Sequence, residues 1–312
     1  LFLVHDSFFD LALRIFIIMA LIIDGKKIAE SIRAEVRAEV EEIKKNRGRL
    51  PGLAFILVGE HPASQSYVKM KGKACKEAGF NSLTDRLPAN TTEEALLARL
   101  RELNEDPAIH GILVQLPLPK HMNESRVIAA IDPRKDVDGF HPVNVGKLMI
   151  GEETFVPCTP AGIQELLMRS GNDPAGKHVV VVGRSNIVGK PIANILLQKR
   201  AGANAIVTIV HTGAADMAPY LKSADILIAA VGKPEFIHGE QLKPGVVVID
   251  VGINRIPDPG SKTGSRIVGD VHFESAAKVA KAITPVPGGV GPMTIAMLMK
   301  NTLKARNLIE KR

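Results

Sequence analysis

Apolar residues Ile28, Ile32, Val36, Val40 and Ile43 recur every three or four positions across 26–46, with Glu, Lys and Arg between them, and predict an amphipathic helix. Residues 53–58 then form an unbroken apolar run between Pro51-Gly52 and Gly59, as a buried strand requires. That strand feeds a segment in which Ser64 or Ser66 can cap a helix running to Gly79, its expected C′ residue. Thr91-Thr92-Glu93-Glu94 has the form of a capping box and opens a helix through Leu103. A second apolar run, 109–114, ends in Gln115-Leu116-Pro117-Leu118-Pro119, and a short helix is expected over 124–130. Thr159-Pro160, an N-cap followed by an N1 proline, starts a helix through Arg169.

The β-branched run 179–182 leads into Gly183-Arg184-Ser185-Asn186-Ile187-Val188-Gly189-Lys190-Pro191 and the apolar segment 192–197. A parallel strand, a tight glycine turn and a proline-started helix follow one another there. Glycines let the backbone close on a phosphate, and a helix N-terminus offers unpaired N–H groups and partial positive charge. The form is that of a dinucleotide-binding turn, although Gly-x5-Gly differs from G-x-G-x-x-G and a plain βα turn without ligand is the alternative. Further strands are expected at 205–210, 225–231 and 246–251, the last two closed by Gly232 and Gly252, where a cofactor can approach the sheet edge. The first of them ends in His211-Thr212-Gly213 instead of the Asp or Glu of NAD-specific sites. Arg184 with Thr212 opposite suits a 2′-phosphate, which favours NADP over NAD.

At 312 residues and 46% apolar content the chain can fill the cores of two domains. A net charge of +7 admits nucleic acid, a membrane surface or small anions as partners. The charge is dispersed, Trp is absent and only Tyr67 and Tyr220 are tyrosines, so the stacking platforms of single-strand binders are missing. Small anionic molecules fit better. Cys75 and Cys158 form no Cys-x-x-Cys pair, which points to a reducing compartment, and the nine histidines include no i, i+4 pair, so no metal site is expected. The apolar run 15–23 is too short to span a bilayer and lacks the features of a signal peptide, and residues 1–18 are set aside as an extension outside the fold.

Several side chains are candidates for chemistry. Tyr67 and Lys71 share one helix face fed by the C-terminal end of a strand, where open α/β sheets place ligands; a solvated face with a half-buried tyrosine is the alternative. A lysine in such a place can take or relay a proton. Gln115 needs partners for its amide at a strand end, and if it flanks the same crevice it can bond Lys71. Asp136 and Asp138 lie two apart in a loop with no third carboxylate at ligand spacing, and Arg134-Lys135 can neutralise them. An Asx-stabilised turn therefore competes with acid/base work, and a single carboxylate could accept two N–H bonds from an aminopyrimidine edge. The Pro/Gly loop 284–294 opens a helix over 295–303 and reads as a crossover back to the first domain, as part of a site, or as both.

Five motifs in order carry a resemblance: Pro-Ala-Ser-x-x-Tyr-Val-x-x-Lys at 62–71, Val-Gln-Leu-Pro-Leu-Pro at 114–119, Lys-Asp-Val-Asp-Gly at 135–139, Gly-Arg-Ser-x-x-Val-Gly-x-Pro at 183–191 and Pro-Gly-Gly-Val-Gly-Pro-Met-Thr at 287–294. Over about 20–307 the chain resembles the bifunctional methylenetetrahydrofolate dehydrogenase/cyclohydrolase family. The resemblance implies two α/β domains with a cleft between them: a catalytic domain over 19–158, completed by a C-terminal helix at 292–307, and a Rossmann-type NADP-binding domain over 159–291. It implies a cytoplasmic homodimer, joined through the nucleotide domain, that works on tetrahydrofolate derivatives in one-carbon metabolism and purine biosynthesis. The family's reactions are oxidation of 5,10-methylenetetrahydrofolate by NADP+ and hydrolysis of the methenyl cation to 10-formyltetrahydrofolate. Carried over, Lys71 would be the central group of the hydrolysis, Gln115 would orient it, Tyr67 would stack on the folate ring system and Asp138 would hold the pterin edge. Pro287, Gly288 and Gly291 would wall the folate site, and Gly183, Arg184, Ser185, Gly189, Thr212, Gly232, Gly252 and Ile253 would bind the cofactor. Where the family often has His-Ser-x-Thr, this chain has His211-Thr212-Gly213-Ala214 and loses the second hydroxyl. The segment 257–265 looks like a longer hairpin than the family needs. A monofunctional dehydrogenase is disfavoured by the complete Tyr67, Lys71 and Gln115 set, and a basic nucleic-acid-binding regulatory protein is the more distant rival.

Overall fold

Two parallel sheets organise the described residues, 20–261 and 264–311, of this computed structural model. The extension expected over residues 1–18 lies outside them. The chain runs through β1 (Leu21–Ile22), α1 (Gly25–Lys45), β2 (Gly52–Val58), α2 (Pro62–Glu77), β3 (Asn81–Leu87), α3 (Glu93–Glu105) and β4 (Gly111–Val114). Next come α4 (Glu124–Ala129), α5 (Pro142–Ile150) and α6 (Cys158–Arg169). The second half holds β5 (His178–Val182), α7 (Gly189–Leu196), β6 (Ile206–Val210), α8 (Ala218–Ser223), β7 (Ile226–Ala229) and β8 (Val247–Asp250). An antiparallel hairpin follows, β9 (Asn254–Pro257) with β10 (Ser265–Val268), then α9 (Phe273–Ala276), β11 (Ala282–Ile283) and α10 (Val290–Glu310).

The first sheet has the order β3-β2-β4 and the second β1-β11-β8-β7-β5-β6. Alternation along β2 explains why its apolar run is unbroken. Phe55 and Leu57 join Ile32, Val36 and Val40 of α1 in one core, while Ala54, Ile56 and Val58 join Leu96, Leu100 and Leu103 of α3 in another. Each large side chain buried in this way contributes about 1.5–3 kcal/mol. In β5, Val179 and Val181 pack with Ile163 and Leu166 of α6, and Val180 and Val182 with Leu221 of α8 and its neighbours. The last helix, α10, packs against both α1 and α6, and its Asn301 Nδ2 donates to the carbonyls of Val137 (2.8 Å) and Val156 (2.9 Å).

Several boundaries differ from the sequence expectation. Strand β1 pairs with β11 in the register Leu21↔Ala282, so the first residues of the segment expected to be catalytic belong to the second sheet. Helix α2 starts at Pro62 with His61 as its cap, because proline presets the first turn; neither Ser64 nor Ser66 caps it. Thr92 caps α3 by accepting from Ala95 N at 3.2 Å, which places Ala95 and not a glutamate at N3, so no reciprocal box forms. Helix α6 begins at Cys158, and the Thr159 hydroxyl pairs with that of Thr294 at 2.9 Å instead of capping. Helix α7 begins at Gly189, which puts Pro191 third in the first turn, where its missing N–H still costs nothing. The hairpin at 257–265 closes with Pro257 opposite Ser265.

Backbone meets backbone where α1 begins. A Cβ on Gly25 would stand 1.8 Å from Gly289 O, and Lys26 N donates to Gly288 O at 3.1 Å. Gly25→Ala is therefore expected to cost about 2 kcal/mol, read as a fall of roughly 5 °C in Tm; an unchanged Tm would remove the argument for this close docking.

Candidate active site

Lys71 is 8% exposed whereas Tyr67, one turn earlier on the same face of α2, is 39% exposed. The Lys71 ammonium donates to Gln115 Oε1 at 3.2 Å, the contact expected from the strand-end position of the glutamine. Gln115 is fixed twice over. Its backbone N–H extends the β2–β4 ladder by donating to Ile56 O at 2.8 Å, and its Nε2 donates to Leu116 O at 2.8 Å. With the amide nitrogen so engaged, the oxygen is the atom left to face the lysine. The peptide bond between Leu116 and Pro117 is cis.

The two close carboxylates have separate fates. Asp136 is buried and folds the turn: Oδ1 accepts from Phe140 N (3.2 Å), and Oδ2 from His141 N (2.8 Å) and Asn144 Nδ2 (2.8 Å). Asp138 is half-buried and accepts from the Cys158 thiol at 3.7 Å. Although part of Asp138 reaches solvent, protein surrounds its carboxyl closely enough for burial to push the pKa up. The Lys71 charge pulls it back down and the Asp136 charge adds to the rise. The neutralisation expected from Arg134 and Lys135 does not occur. Arg134 pairs with Asp132, and the Lys135 ammonium donates to the carbonyls of Leu103 (3.0 Å) and Asp106 (2.8 Å). Lys71 is thus the cation that acts on Asp138. Burial also pushes the Cys158 thiol well up and the Cys75 thiol up to about 12, which leaves both as thiols without nucleophilic character.

Parallel register brings the second residue set to one edge. Val182 stands opposite Val210 and Ala229, and Ala229 opposite Asp250, so the chain leaves β5, β6, β7 and β8 at a common carboxyl-terminal side. Gly183 has φ +128°, and a Cβ on it would lie 2.1 Å from Ala230 O; one on Gly189 would lie 2.2 Å from Gly183 O. Both glycines are demanded by backbone closure. Ser185 Oγ accepts from Val188 N (3.1 Å) and Gly189 N (3.3 Å), and the Arg184 and Thr212 side chains are exposed beyond the ends of neighbouring strands. Gly232, at φ +72°, has open space where a side chain would be. Gly252 differs from expectation: a Cβ there would fall 2.3 Å from Asp270 Oδ1, so this glycine makes room for an internal carboxylate.

The two sets meet at the loop after β11. Its Val286–Pro287 bond is cis, Gly288 has φ +113°, and a Cβ on Gly291 would touch Ile253 Cδ1 at 3.7 Å. Folate-wall and cofactor candidates therefore adjoin there. Among the described residues no group of three His, Cys, Asp or Glu is placed to hold a metal, and no helix is long and apolar enough to cross a membrane. Sequence reasoning missed Cys158, Asn301, Asp250 and Asp270, whose partners lie far along the chain.

Residues 23–138 match the model of the tetrahydrofolate dehydrogenase/cyclohydrolase catalytic domain, and 157–309 that of the family's NAD(P)-binding domain. The chain is 58% identical over 287 residues to the bifunctional protein FolD of Chlorobium limicola, covering 91% of this chain and 97% of that one. Two solved structures are similar. One is the bifunctional enzyme FolD, a methylenetetrahydrofolate dehydrogenase/cyclohydrolase, from Campylobacter jejuni (TM-score 0.87, 46% identity, 93% of this chain and 99% of that chain). The other is FolD from Trypanosoma brucei, complexed with NADP cofactor and inhibitor (TM-score 0.88, 43% identity, 94% and 99%). With 23–138 and 157–309 matched by its two domain models, this chain belongs to the tetrahydrofolate dehydrogenase/cyclohydrolase family.

Proposed function

We propose that this protein oxidises 5,10-methylenetetrahydrofolate with NADP+ and hydrolyses the resulting 5,10-methenyl cation to 10-formyltetrahydrofolate. The observation that carries the reading is the buried Lys71 ammonium held on Gln115 and acting on Asp138. The methenyl cation is already electrophilic and needs no general acid to become so. It needs a water placed against its bridging carbon and a group through which that water's proton leaves. Lys71 fills this role once its ammonium has given up a proton to solvent: the free amine takes the water's proton as the oxygen bonds the bridging carbon, with Gln115 fixing where the nitrogen sits. Asp138 accepts N–H bonds from the aminopyrimidine edge of the pterin, and the exposed Tyr67 ring stacks on the folate ring system. Pro287, Gly288 and Gly291 wall the folate from the other side. NADP+ supplies the hydride acceptor, and the protein's task in that step is alignment.

Arg184, Ser185 and Thr212 suit the phosphates of NADP, on an edge that Gly183, Gly189, Gly232, Gly252 and Ile253 also shape. The fit rests on the closed turn, where Ser185 Oγ accepts from the Val188 and Gly189 N–H groups and the Arg184 side chain is left exposed. The division of labour follows: residues 19–158 with the 292–307 segment hold folate, the loop 287–291 walls it, and the rest of 159–291 holds the cofactor. A homodimer joined through the nucleotide sheet is supported by its edge strand β6, where Ile206 is 66% and Ile209 is 41% exposed. A cytoplasmic enzyme supplying formyl groups for purine biosynthesis completes the reading.

Purified protein given methylenetetrahydrofolate with NADP+ or NAD+ separately tests this. Reduced NADP together with 10-formyltetrahydrofolate is the expected result, and absence of the formyl product would remove the hydrolytic half. Arg184→Ser is expected to raise the KM for NADP+ by about tenfold with that for NAD+ unchanged.

A further inference from the structure

We propose that Asp270 is a positioning residue for the cofactor edge, a role that rests on the reading of that edge as the NADP site. Asp270 is fully buried beyond the β9–β10 hairpin, and its Oδ2 accepts from Val231 N (2.6 Å) and Gly232 N (2.8 Å), the first residues after β7 and its flanking alanine. Its Oδ1 accepts from Asn254 Nδ2 at 2.8 Å and abuts Gly252. In a trans peptide the carbonyl points opposite to the N–H. Committing Val231 N to Asp270 therefore aims Ala230 O the other way, toward Gly183, where a Cβ would lie 2.1 Å from that oxygen. One carboxylate thus sets the peptide planes after β7 and, through Ala230, the contact that requires glycine at the head of the nucleotide turn.

A second carboxylate seats the first. Asp250, at the end of β8, accepts from Gly252 N and Asp270 N through Oδ1, each at 2.9 Å, and from Val271 N through Oδ2 at 2.9 Å. Its own N–H donates to Thr284 Oγ1 at 2.8 Å, which ties in the loop after β11. A Cβ on Gly269 would stand 1.8 Å from Asp250 Oδ2, so the segment carrying Asp270 is pressed directly onto that carboxylate. The strands are held by their own ladders and cores; what the pair holds is the loops beyond them, from four strand ends. A buried carboxylate surrounded by N–H donors suits this task because it offers several acceptor sites and no donor that would clash.

Asp270→Asn leaves one amide oxygen to serve either the Val231 and Gly232 N–H groups or Asn254, and turns an NH2 against the other. The expected result is a rise of about tenfold in the KM for NADP+, while hydrolysis of methenyltetrahydrofolate supplied directly, which uses no cofactor, stays within about twofold of wild type. A KM for NADP+ within about twofold of wild type, or a parallel fall of both activities, would overturn the proposal. If Asp270→Asn does not fold, Asn254→Ala decides by the same split, with an expected rise of about threefold in that KM. A wild-type enzyme that reduces NAD+ and not NADP+ would overturn the NADP assignment separately, and the Asp270 comparison would then be read on the KM for NAD+.

Discussion

Lys71→Met is expected to lower hydrolysis of the methenyl cation by about a hundredfold or more, with a far smaller loss of hydride transfer to NADP+. Methionine keeps the unbranched stem of the lysine and so preserves packing along α2. What it removes is the ammonium held by Gln115 at 3.2 Å. Hydride transfer asks the protein for alignment and asks no side chain for a proton, so it survives on the remaining contacts. Decay of supplied methenyltetrahydrofolate and formation of NADPH, followed separately, measure the two. Equal loss of both would show that Lys71 serves binding alone.

The second large effect lies at Asp138, the carboxyl on which the Lys71 charge acts. Asp138→Asn is expected to raise the KM for folate by about a hundredfold, since two charge-assisted bonds to the pterin edge become one neutral acceptor and a misplaced donor. The pH dependence follows from the same carboxyl. Burial raises its pKa above the ordinary aspartate value, so on acidification it takes up a proton earlier than a solvated carboxylate would. Folate affinity should therefore weaken as pH falls, through a range above that of ordinary aspartates, and the asparagine variant should lack this dependence. Lys71→Met should move the loss to still higher pH, because the lysine charge is one of the causes that lower the Asp138 pKa. KM profiles for the three proteins from roughly pH 8 to 5 settle the point; coincident profiles for wild type and Asp138→Asn would exclude the carboxylate as the pterin anchor.

These two residues also mark how far the sequence alone can be read. β2 was legible because both of its faces are covered, so every position is apolar. The Gly183 to Gly189 turn was legible because each glycine is imposed by a backbone contact a few residues or one strand away. Lys71 was a candidate from its place on the Tyr67 face after a strand end, and likeness to a family raised it above the solvated-face alternative, since Lys69 and Lys73 on the same helix look equivalent in sequence yet are exposed. Tertiary packing, not local pattern, buries the one and leaves the others in water. The charges of Arg134 and Lys135 were misassigned for a related reason: the lysine's partners are carbonyls at the end of α3, some thirty positions back. Asp270 gave no local sign at all. Its donors lie 38 and 39 positions upstream, and nothing in an aspartate following a glycine announces them.

The path of the chain between the sheets bears on whether the two activities could be parted. β1 lies in the nucleotide sheet, α1 then covers the other sheet, α6 leads into β5, and after β11 the chain returns through α10 to pack on α1. Three crossings stitch the halves together. A gene cut after the catalytic segment would yield a fragment whose α1 face of Ile32, Val36 and Val40 has lost α10, beside an orphaned edge strand. Its counterpart would carry a long helix still seated on α6 but stripped of its contact with α1. Dehydrogenase and cyclohydrolase therefore travel as a single heritable module, in which one is tuned against the other by substitution and not by dividing the chain.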